Sequence, residues 1–190
     1  MKRISFYLFI FLLFTACPAM AAAGMDNNPG SSYKIGSGDV LEILVWEDKS
    51  LSHQLVVPPD GVIAFPLVGD IQATNLTVSQ LRREITNRLG EFVPDATVTV
   101  MLMQINSLQA YVIGKVNKPG QFPINQNTTV MQVLAMAGGL NPFAAAGKIF
   151  ILRRKNGRNI AIPFNYSEVV KGKNLEQNIT LRRGDVVVIP

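Results

Sequence analysis

The sequence has little cysteine, histidine or charge, and each shortage excludes a class of protein. Its only cysteine is Cys17, which excludes a disulfide scaffold, and its only histidine is His53. Charged residues make up 16% of the 190 residues and apolar residues 48%, which excludes an intrinsically disordered chain. Long apolar runs are also scarce. Because one segment alone is apolar enough to enter a bilayer, a polytopic helical transporter is excluded.

That apolar run lies at the start of the chain and predicts an export signal. Lys2 and Arg3 precede it, and Ala19 and Ala21 follow it as small residues at a spacing of two. We expect residues 1–21 to be a signal peptide that is cleaved after Ala21. Cleavage removes two of the 18 basic residues and none of the 13 acidic ones, so the mature net charge is +3.

Two other fates of this segment remain open. The run Phe14-Thr15-Ala16-Cys17 resembles a bacterial lipobox, in which Cys17 is lipidated and begins the mature chain. An uncleaved membrane anchor is the third reading. All three place the body of the protein beyond the inner membrane, and a body without cysteine suits that oxidising compartment.

The remainder divides into a linker and two units. Residues 22–32 are small and polar and are interrupted by proline and glycine, as in a linker. Residues 33–104 and residues 105–190 each alternate short strands with turns and contain a helix. The predicted fold class is therefore α+β, with two small mixed domains. For the last strand, over residues 186–189, the expectation includes packing back on the first domain.

Hydrophobic periodicity and turn residues predict the individual elements. Apolar spacing and a capping box predict a helix over residues 77–89 that ends with a left-handed Gly90. A shorter helix over residues 129–137 ends at Gly138 and Gly139. Asn156-Gly157 predicts a tight hairpin. Strands are predicted at residues 40–46, 54–57, 62–65, 96–103, 108–113, 148–154, 158–162 and 186–189.

A weak internal repeat relates the start of the first unit to the end of the second. Residues 35–43 align with residues 181–189, and the shared feature is Gly-Asp followed by an apolar strand. Asp39 and Asp185 are the aspartates of the two copies. Their carboxylates are expected to accept nearby backbone N–H groups before each strand begins, which is a structural role and not a catalytic one.

A search for catalytic, metal-binding or cofactor-binding residues finds none. His53 has no second histidine and no mature cysteine beside it as a metal ligand, and it is interpreted as a surface residue in a polar loop. No Gly-x-Ser-x-Gly elbow, phosphate-binding loop or dinucleotide fingerprint occurs. A carboxylate pair for sugar hydrolysis could come only from scattered candidates such as Asp39, Glu42, Glu47, Asp60, Asp70 and Asp185. The sequence therefore predicts no enzyme, metal or cofactor.

Basic residues form one local cluster and a helical face. Arg82, Arg83 and Arg88 lie off the apolar stripe of the first helix and are interpreted as a solvated face, with the binding of an acidic ligand as the alternative. The cluster has two interpretations, a solvated hairpin tip or a site for an acidic carbohydrate or phosphate headgroup. The dispersed charge and the export signal argue against nucleic acid. The cluster consists of Lys148, Arg153, Arg154, Lys155 and Arg158, with Arg182 and Arg183 later in the chain.

Several of these motifs, in this order, resemble the outer-membrane polysaccharide export proteins of Gram-negative bacteria. Residues 33–46 and 57–71 resemble the opening of the polysaccharide export domain. Residues 110–124 and 135–140 resemble the soluble-ligand-binding β-grasp (SLBB) domain that follows it, and residues 181–190 match the family's ending. The resemblance covers nearly all of residues 33–190.

The resemblance implies a function that residue patterns alone do not give. Subunits of this family form rings in the periplasm, at the outer membrane, around a passage for capsule or exopolysaccharide. Their usual partners are an inner-membrane co-polymerase or chain-length regulator, and the family implies no catalysis. The alternative is a monomeric periplasmic module that binds glycan.

This sequence also differs from the longer members of the family, and the difference leads to a further expectation. Longer relatives carry a further β-grasp domain and a C-terminal amphipathic helix that forms the outer-membrane pore, whereas this sequence stops after a strand at Pro190. We therefore expect a short form that uses either a lipid on Cys17 or a separate outer-membrane β-barrel.

Overall fold

The computed structural model describes residues 33–190, and the signal, linker and Cys17 predictions lie outside these residues. The helices are α1 (Val78–Leu89), α2 (Val130–Met136) and α3 (Tyr166–Val169). The strands are β1 (Val40–Val45), β2 (Asp48–Val56), β3 (Val62–Phe65), β4 (Gly69–Gln72), β5 (Val98–Gln104), β6 (Gln109–Gly114), β7 (Gly120–Pro123), β8 (Ile149–Lys155), β9 (Arg158–Phe164) and β10 (Val186–Ile189). Within the described part of the chain, every helix is too short or too polar to cross a membrane.

The first half of the described chain builds one sheet, one hairpin and one helix. Strands β2, β1 and β5 form an antiparallel sheet in that order, and β3 pairs with β4. Helix α1 buries Leu81, Ile85 and Leu89, which recur once per turn on one face. These side chains join Leu41, Ile43 and their neighbours in one apolar cluster, here called the N-terminal cluster.

The start of α1 agrees with its sequence signals and the end does not. The backbone N–H of Thr77 donates to the Gln80 side chain (2.8 Å), and the Gln80 N–H donates to Thr77 Oγ1 (3.2 Å), so the capping box is confirmed. The prediction that Gly90 adopts a left-handed conformation was wrong, because Gly90 has φ −58° and ψ −21°. The chain continues in right-handed turns, and the left-handed residue is Asp95, with φ 58°.

The second half builds a five-stranded sheet in the order β7-β6-β10-β8-β9. Helix α2 buries Val130, Val133 and Leu134, which belong to a second apolar cluster, here called the C-terminal cluster. Strand β10 lies at the centre, parallel to β6 and antiparallel to β8. The expectation that the last strand packs on the first domain is therefore wrong. Both hydrogen-bonding edges of β10 are occupied within this sheet, and Val187 and Ile189 are buried in the C-terminal cluster.

The tight turns follow their residues closely. Asn156 and Gly157 both have positive φ, 51° and 77°, as a two-residue hairpin turn requires between β8 and β9. Gly138 and Gly139, with φ 75° and 80°, end the segment after α2 as predicted. The predicted α+β class with helices and mixed sheets is confirmed.

Three strand assignments differ from the sequence prediction. Strands β4 and β7 were missed, because four residues that contain glycine or proline show no useful alternation. His53 does not lie in a loop, because β2 extends from Asp48 to Val56. Its ring lies 5.9 Å from that of Phe65. His53 is half-buried, and its place on a strand comes from pairing with Ile43 across the sheet.

Candidate functional site

The two copies of the Gly-Asp repeat form the same turn. In the first, the Asp39 carboxylate accepts the Gly36 N–H (2.8 Å), and in the second the Asp185 carboxylate accepts the Arg182 N–H (2.8 Å). The glycine before each aspartate has positive φ, which only glycine adopts without strain. The predicted structural role of the repeat is confirmed.

Asp39 also ties the first turn to the segment between the two halves. Its second carboxylate oxygen accepts the backbone N–H groups of Asn106 (3.0 Å) and Ser107 (2.9 Å). The Tyr33 hydroxyl donates to the oxygen that Gly36 also contacts, at 2.5 Å. Asp39 is completely buried, so four donors compensate the loss of water around one carboxylate.

Arg183, in the second turn, reaches across to the first turn. Its Nη2 donates to the backbone oxygen of Lys34 (2.7 Å) and to the Tyr33 hydroxyl (3.3 Å), and its Cζ lies 5.7 Å from the centre of the Tyr33 ring. The guanidinium lies against Gly36, where an added Cβ would come within 2.1 Å of Nη1. Gly36 is therefore needed for this close approach and not for its backbone angles.

Asp185 is neutralised by an arginine from strand β8. Arg153 Nη2 lies 2.6 Å from Asp185 Oδ2, and Arg153 Nε donates to Oδ1 at 3.0 Å. The two side chains are 11% and 1% exposed, so the pair is buried. Arg153 Nη2 also donates to the Thr180 carbonyl at 2.9 Å, which leaves the carboxylate and the guanidinium in one fixed orientation.

The environment of Tyr33 and Asp39 shifts both pKa values. Burial raises the pKa of Tyr33 to about 12, and the hydrogen bond to Asp39 adds to the effect. Burial alone would raise the pKa of Asp39, but hydrogen bonds from Tyr33, Gly36 and Ser107 outweigh it and hold that pKa below its usual value. At neutral pH the tyrosine is therefore a donor and the aspartate a charged acceptor.

A pH dependence of stability follows from Asp39. Its folded pKa lies below the unfolded value of about 3.9, so the ionised form stabilises the fold above that pH and the contribution is lost as pH falls through the folded pKa. We expect urea unfolding to show a fall in the free energy of unfolding below about pH 4. Asp39→Asn should be less stable at pH 7 but lose less on acidification. Asp60→Asn, in an exposed turn, is the control, and an equal acid loss in both variants would contradict the assignment.

The two turns border a cleft of about 890 Å³, here called the junction cleft. Among residues 33–190, four cationic side chains and no carboxylate line it. Leucine and isoleucine side chains form the apolar part of the lining, here called its floor, and asparagine, glutamine and threonine side chains line it as well. The lining residues are Tyr33, Lys34, Leu108, Asn125, Gln126, Arg153, Ile179, Thr180, Leu181, Arg182 and Arg183. The volume and the mixture of apolar walls with a few polar groups are those of a ligand site.

The predicted basic cluster divides between three places. Arg153, Arg182 and Arg183 line the junction cleft, and Arg154, Lys155 and Arg158 are exposed around the β8–β9 turn. Lys148 is exposed just before β8, at the opposite end of that strand. Sequence reasoning missed Tyr33 and Lys34 as partners of these arginines. The Gly-Asp repeat was the available signal, because its two copies meet at this cleft.

The basic residues of helix α1 do not line the junction cleft, and no cluster of metal ligands was found in the described residues. In helix α1, Arg82 and Arg83 are exposed, and Arg88 pairs with Glu84 at 2.6 Å on the surface. Over residues 33–190, no three histidine, cysteine, aspartate or glutamate side chains lie together as metal ligands. The junction cleft thus has the chemistry of an anion-binding or saccharide-binding surface.

The fold and the junction define a class: a two-domain α+β protein whose Gly-Asp turns meet around one buried tyrosine. Comparison with known families identifies both halves. Residues 27–103 match the family described as polysaccharide biosynthesis/export protein, and residues 109–163 match the SLBB domain. The two matches cover more than two thirds of the chain. The chain belongs to the polysaccharide export protein family, in which an SLBB domain follows the export domain.

Three curated relatives resemble the chain over most of its length. The EPS I polysaccharide export outer membrane protein EpsA of Ralstonia nicotianae is 29% identical over 82% of this chain and 46% of its own. The capsule polysaccharide export outer membrane protein CtrA of Neisseria meningitidis serogroup B is 28% identical over 94% and 49%. The polysialic acid transport protein KpsD of Escherichia coli is 27% identical over 76% and 26%. The chain thus spans less than half the length of these relatives.

Proposed function

We propose that this protein is a subunit of a capsule or exopolysaccharide export complex, in which identical copies form a ring around the passage for the polymer. Family membership and the names of the relatives support the export role. One structural observation supports the assembly: four strands of the five-stranded sheet carry apolar side chains on both faces. One face packs under α2, and the other is uncovered in the described chain.

The uncovered side of this sheet, here called the open face, consists of two rows of apolar side chains across four strands. One row is Tyr111, Val186, Leu152 and Ala161, and the other is Ile113, Val188, Phe150 and Pro163. None of the eight belongs to either apolar cluster of residues 33–190. Tyr111 is 41% and Ile113 47% exposed. Solvated sheet faces normally alternate to polar residues, so an apolar open face indicates a contact surface.

Among residues 33–190, the other half carries a second group of exposed apolar side chains, which share their sheet face with Glu42 and Thr99. Leu44 and Met101 point away from the N-terminal cluster on neighbouring strands, and Val56 and Met103 extend the surface on either side; these four are 36–59% exposed. Two different surfaces on one chain are compatible with a head-to-tail contact. In such a contact, the open face of one copy packs against the second surface of the next copy. Repetition of such a contact closes a ring when the rotation between copies divides a full turn.

The remaining parts of the proposal concern location and partners. The subunit works in the periplasm, associated with the outer membrane, and contacts an inner-membrane co-polymerase or chain-length regulator. It uses no cofactor and catalyses no reaction. Its task is to surround and guide a glycan that other proteins polymerise.

The assembly is tested by a charge on the open face. Native mass spectrometry of the purified protein, alone and with its co-polymerase, should detect an oligomer. Ile113→Glu should weaken it by at least ~2 kcal/mol, roughly thirtyfold, because the contact would bury an unpaired carboxylate. Leu175→Glu is the matched control, since Leu175 is 58% exposed in the Leu175–Gln177 turn, away from the open face.

Two results would contradict this proposal. If the unaltered protein stays monomeric with and without the co-polymerase, the proposal that it forms a ring is wrong. If a monomer binds an oligosaccharide tightly, the protein is a glycan-binding module instead. An oligomer that persists in Ile113→Glu would place the contact on another surface.

A further inference from the structure

We propose that the junction cleft binds a carboxylate-bearing sugar residue of the exported polymer. The inference rests on the proposed function, which brings a polysaccharide to the protein. It adds the chemical class of the sugar and the residues that recognise it. Neither follows from family membership.

The cationic lining is only partly neutralised by the fold. Arg153 is paired with Asp185, and Arg183 donates to Tyr33 and to the Lys34 carbonyl. The side chains of Lys34 and Arg182 are exposed, and neither forms a hydrogen bond or ion pair with any residue of 33–190. Two uncompensated cations therefore face one concave surface, which favours an anionic ligand.

The acidic groups nearest in the fold are withdrawn from this surface. Asp39 is fully buried and Asp185 is 1% exposed. Each carboxylate accepts a backbone N–H of its own turn and further hydrogen bonds from distant segments, and neither lines the cleft. Among residues 33–190, no carboxylate lines the cleft itself, so an incoming anion meets no exposed like charge on its walls.

The rest of the lining suits a sugar ring better than a bare anion. Leu108, Ile179 and Leu181 supply an apolar floor against which the C–H face of a pyranose packs. Asn125 and Thr180 supply amide and hydroxyl groups for its hydroxyls. A small inorganic anion would use the cations and leave this floor unused, whereas a sugar acid uses both.

The frame of the cleft is already held in place. Arg183 is fixed by its bonds to the first turn, and the second turn is fixed by the Arg153–Asp185 pair. The exposed side chains of Lys34 and Arg182 would be ordered on binding, whereas Arg153 and Arg183 are already held by the fold. A site that orders few side chains loses less affinity to conformational entropy.

Calorimetric titration of the full protein, as the producing cell processes it, tests the inference. The probes are tetragalacturonate, its methyl ester as the uncharged match, a sialic acid trimer and inorganic phosphate. We expect the acidic saccharides to bind at least tenfold more tightly than the ester. Lys34→Gln and Arg182→Gln should each weaken that binding about tenfold, as for one hydrogen bond to a charged group. Arg158→Gln, an exposed cation of the β8–β9 turn, should not change it.

Each other outcome overturns the inference. If the ester binds as tightly as the acid, the cleft does not recognise the carboxylate. If inorganic phosphate binds as tightly as the acidic saccharides, the cleft does not recognise the sugar ring. If neither acidic saccharide binds, the proposed binding site is wrong. Native mass spectrometry on the same samples distinguishes this proposal from that of the ring. An oligomer that binds neither acid would contradict the binding site alone. A monomer that binds both would contradict the ring alone.

Discussion

Asp39→Ala should lower the free energy of unfolding by about 3–5 kcal/mol, because the carboxylate it removes is the shared acceptor of the junction. Asp39 accepts from Tyr33, Gly36, Asn106 and Ser107, and it is fully buried. Alanine leaves these four donors without their acceptor in a space too small for full hydration. Each buried unsatisfied donor costs about 1–3 kcal/mol, less what local relaxation recovers.

The control for this prediction is a second aspartate in a turn. Asp60 is exposed, and within residues 33–190 its side chain accepts only the Val62 N–H, at 3.0 Å. Asp60→Ala should cost under ~1 kcal/mol, because water replaces the lost acceptor. Urea unfolding of the two variants and the unaltered protein measures the difference. Equal losses would mean that the junction contributes nothing beyond an ordinary turn.

Breaking the Arg153–Asp185 pair has a comparable expected effect. Arg153→Gln should destabilise the fold by about 3–5 kcal/mol, because it leaves a carboxylate that is 1% exposed without its cation. The Arg182 N–H remains as a donor, but it supplies no full charge. The Thr180 carbonyl also loses its contact with Arg153 Nη2.

The chain provides a matched pair for this experiment. Arg88 and Glu84 lie at the same 2.6 Å separation as Arg153 and Asp185, but their side chains are 45% and 41% exposed. Arg88→Gln should therefore cost under ~1 kcal/mol, because water screens and replaces the interaction. Thermal and urea unfolding of both variants compare a buried and an exposed ion pair at the same shortest N–O distance. Similar losses in the two would contradict the importance of burial.

The two largest effects share one origin, the repeated Gly-Asp turn. In each copy the aspartate closes its own turn and then contacts a distant segment, Asn106 and Ser107 in the first copy and Arg153 in the second. Arg183 connects the two copies. The same contacts set the position of Arg182 and Lys34 at the junction cleft, so damage to either turn should weaken ligand binding as well as stability.

Local signals in the sequence were sufficient for much of the fold. The capping box at Thr77, the Asn156-Gly157 hairpin and the Gly138-Gly139 helix end each depend on a few neighbouring residues, and each is confirmed. Gly90 was misassigned because glycine permits a left-handed end without requiring it. Strands β4 and β7 were missed because their pairing partners, and not their own four residues, define them.

By itself, the sequence determined the α+β class, the order of its domains, the Gly-Asp repeat and the membership of an export family, because these are carried by local periodicity, turn chemistry and motif order. Tertiary structure alone decided that β10 lies at the centre of the second sheet and that residues 33–190 leave one apolar face of that sheet uncovered. It also decided which arginines of the basic cluster meet Tyr33, 150 residues before Arg183. Contacts at such separation depend on how strands pair and pack, and no local pattern encodes that.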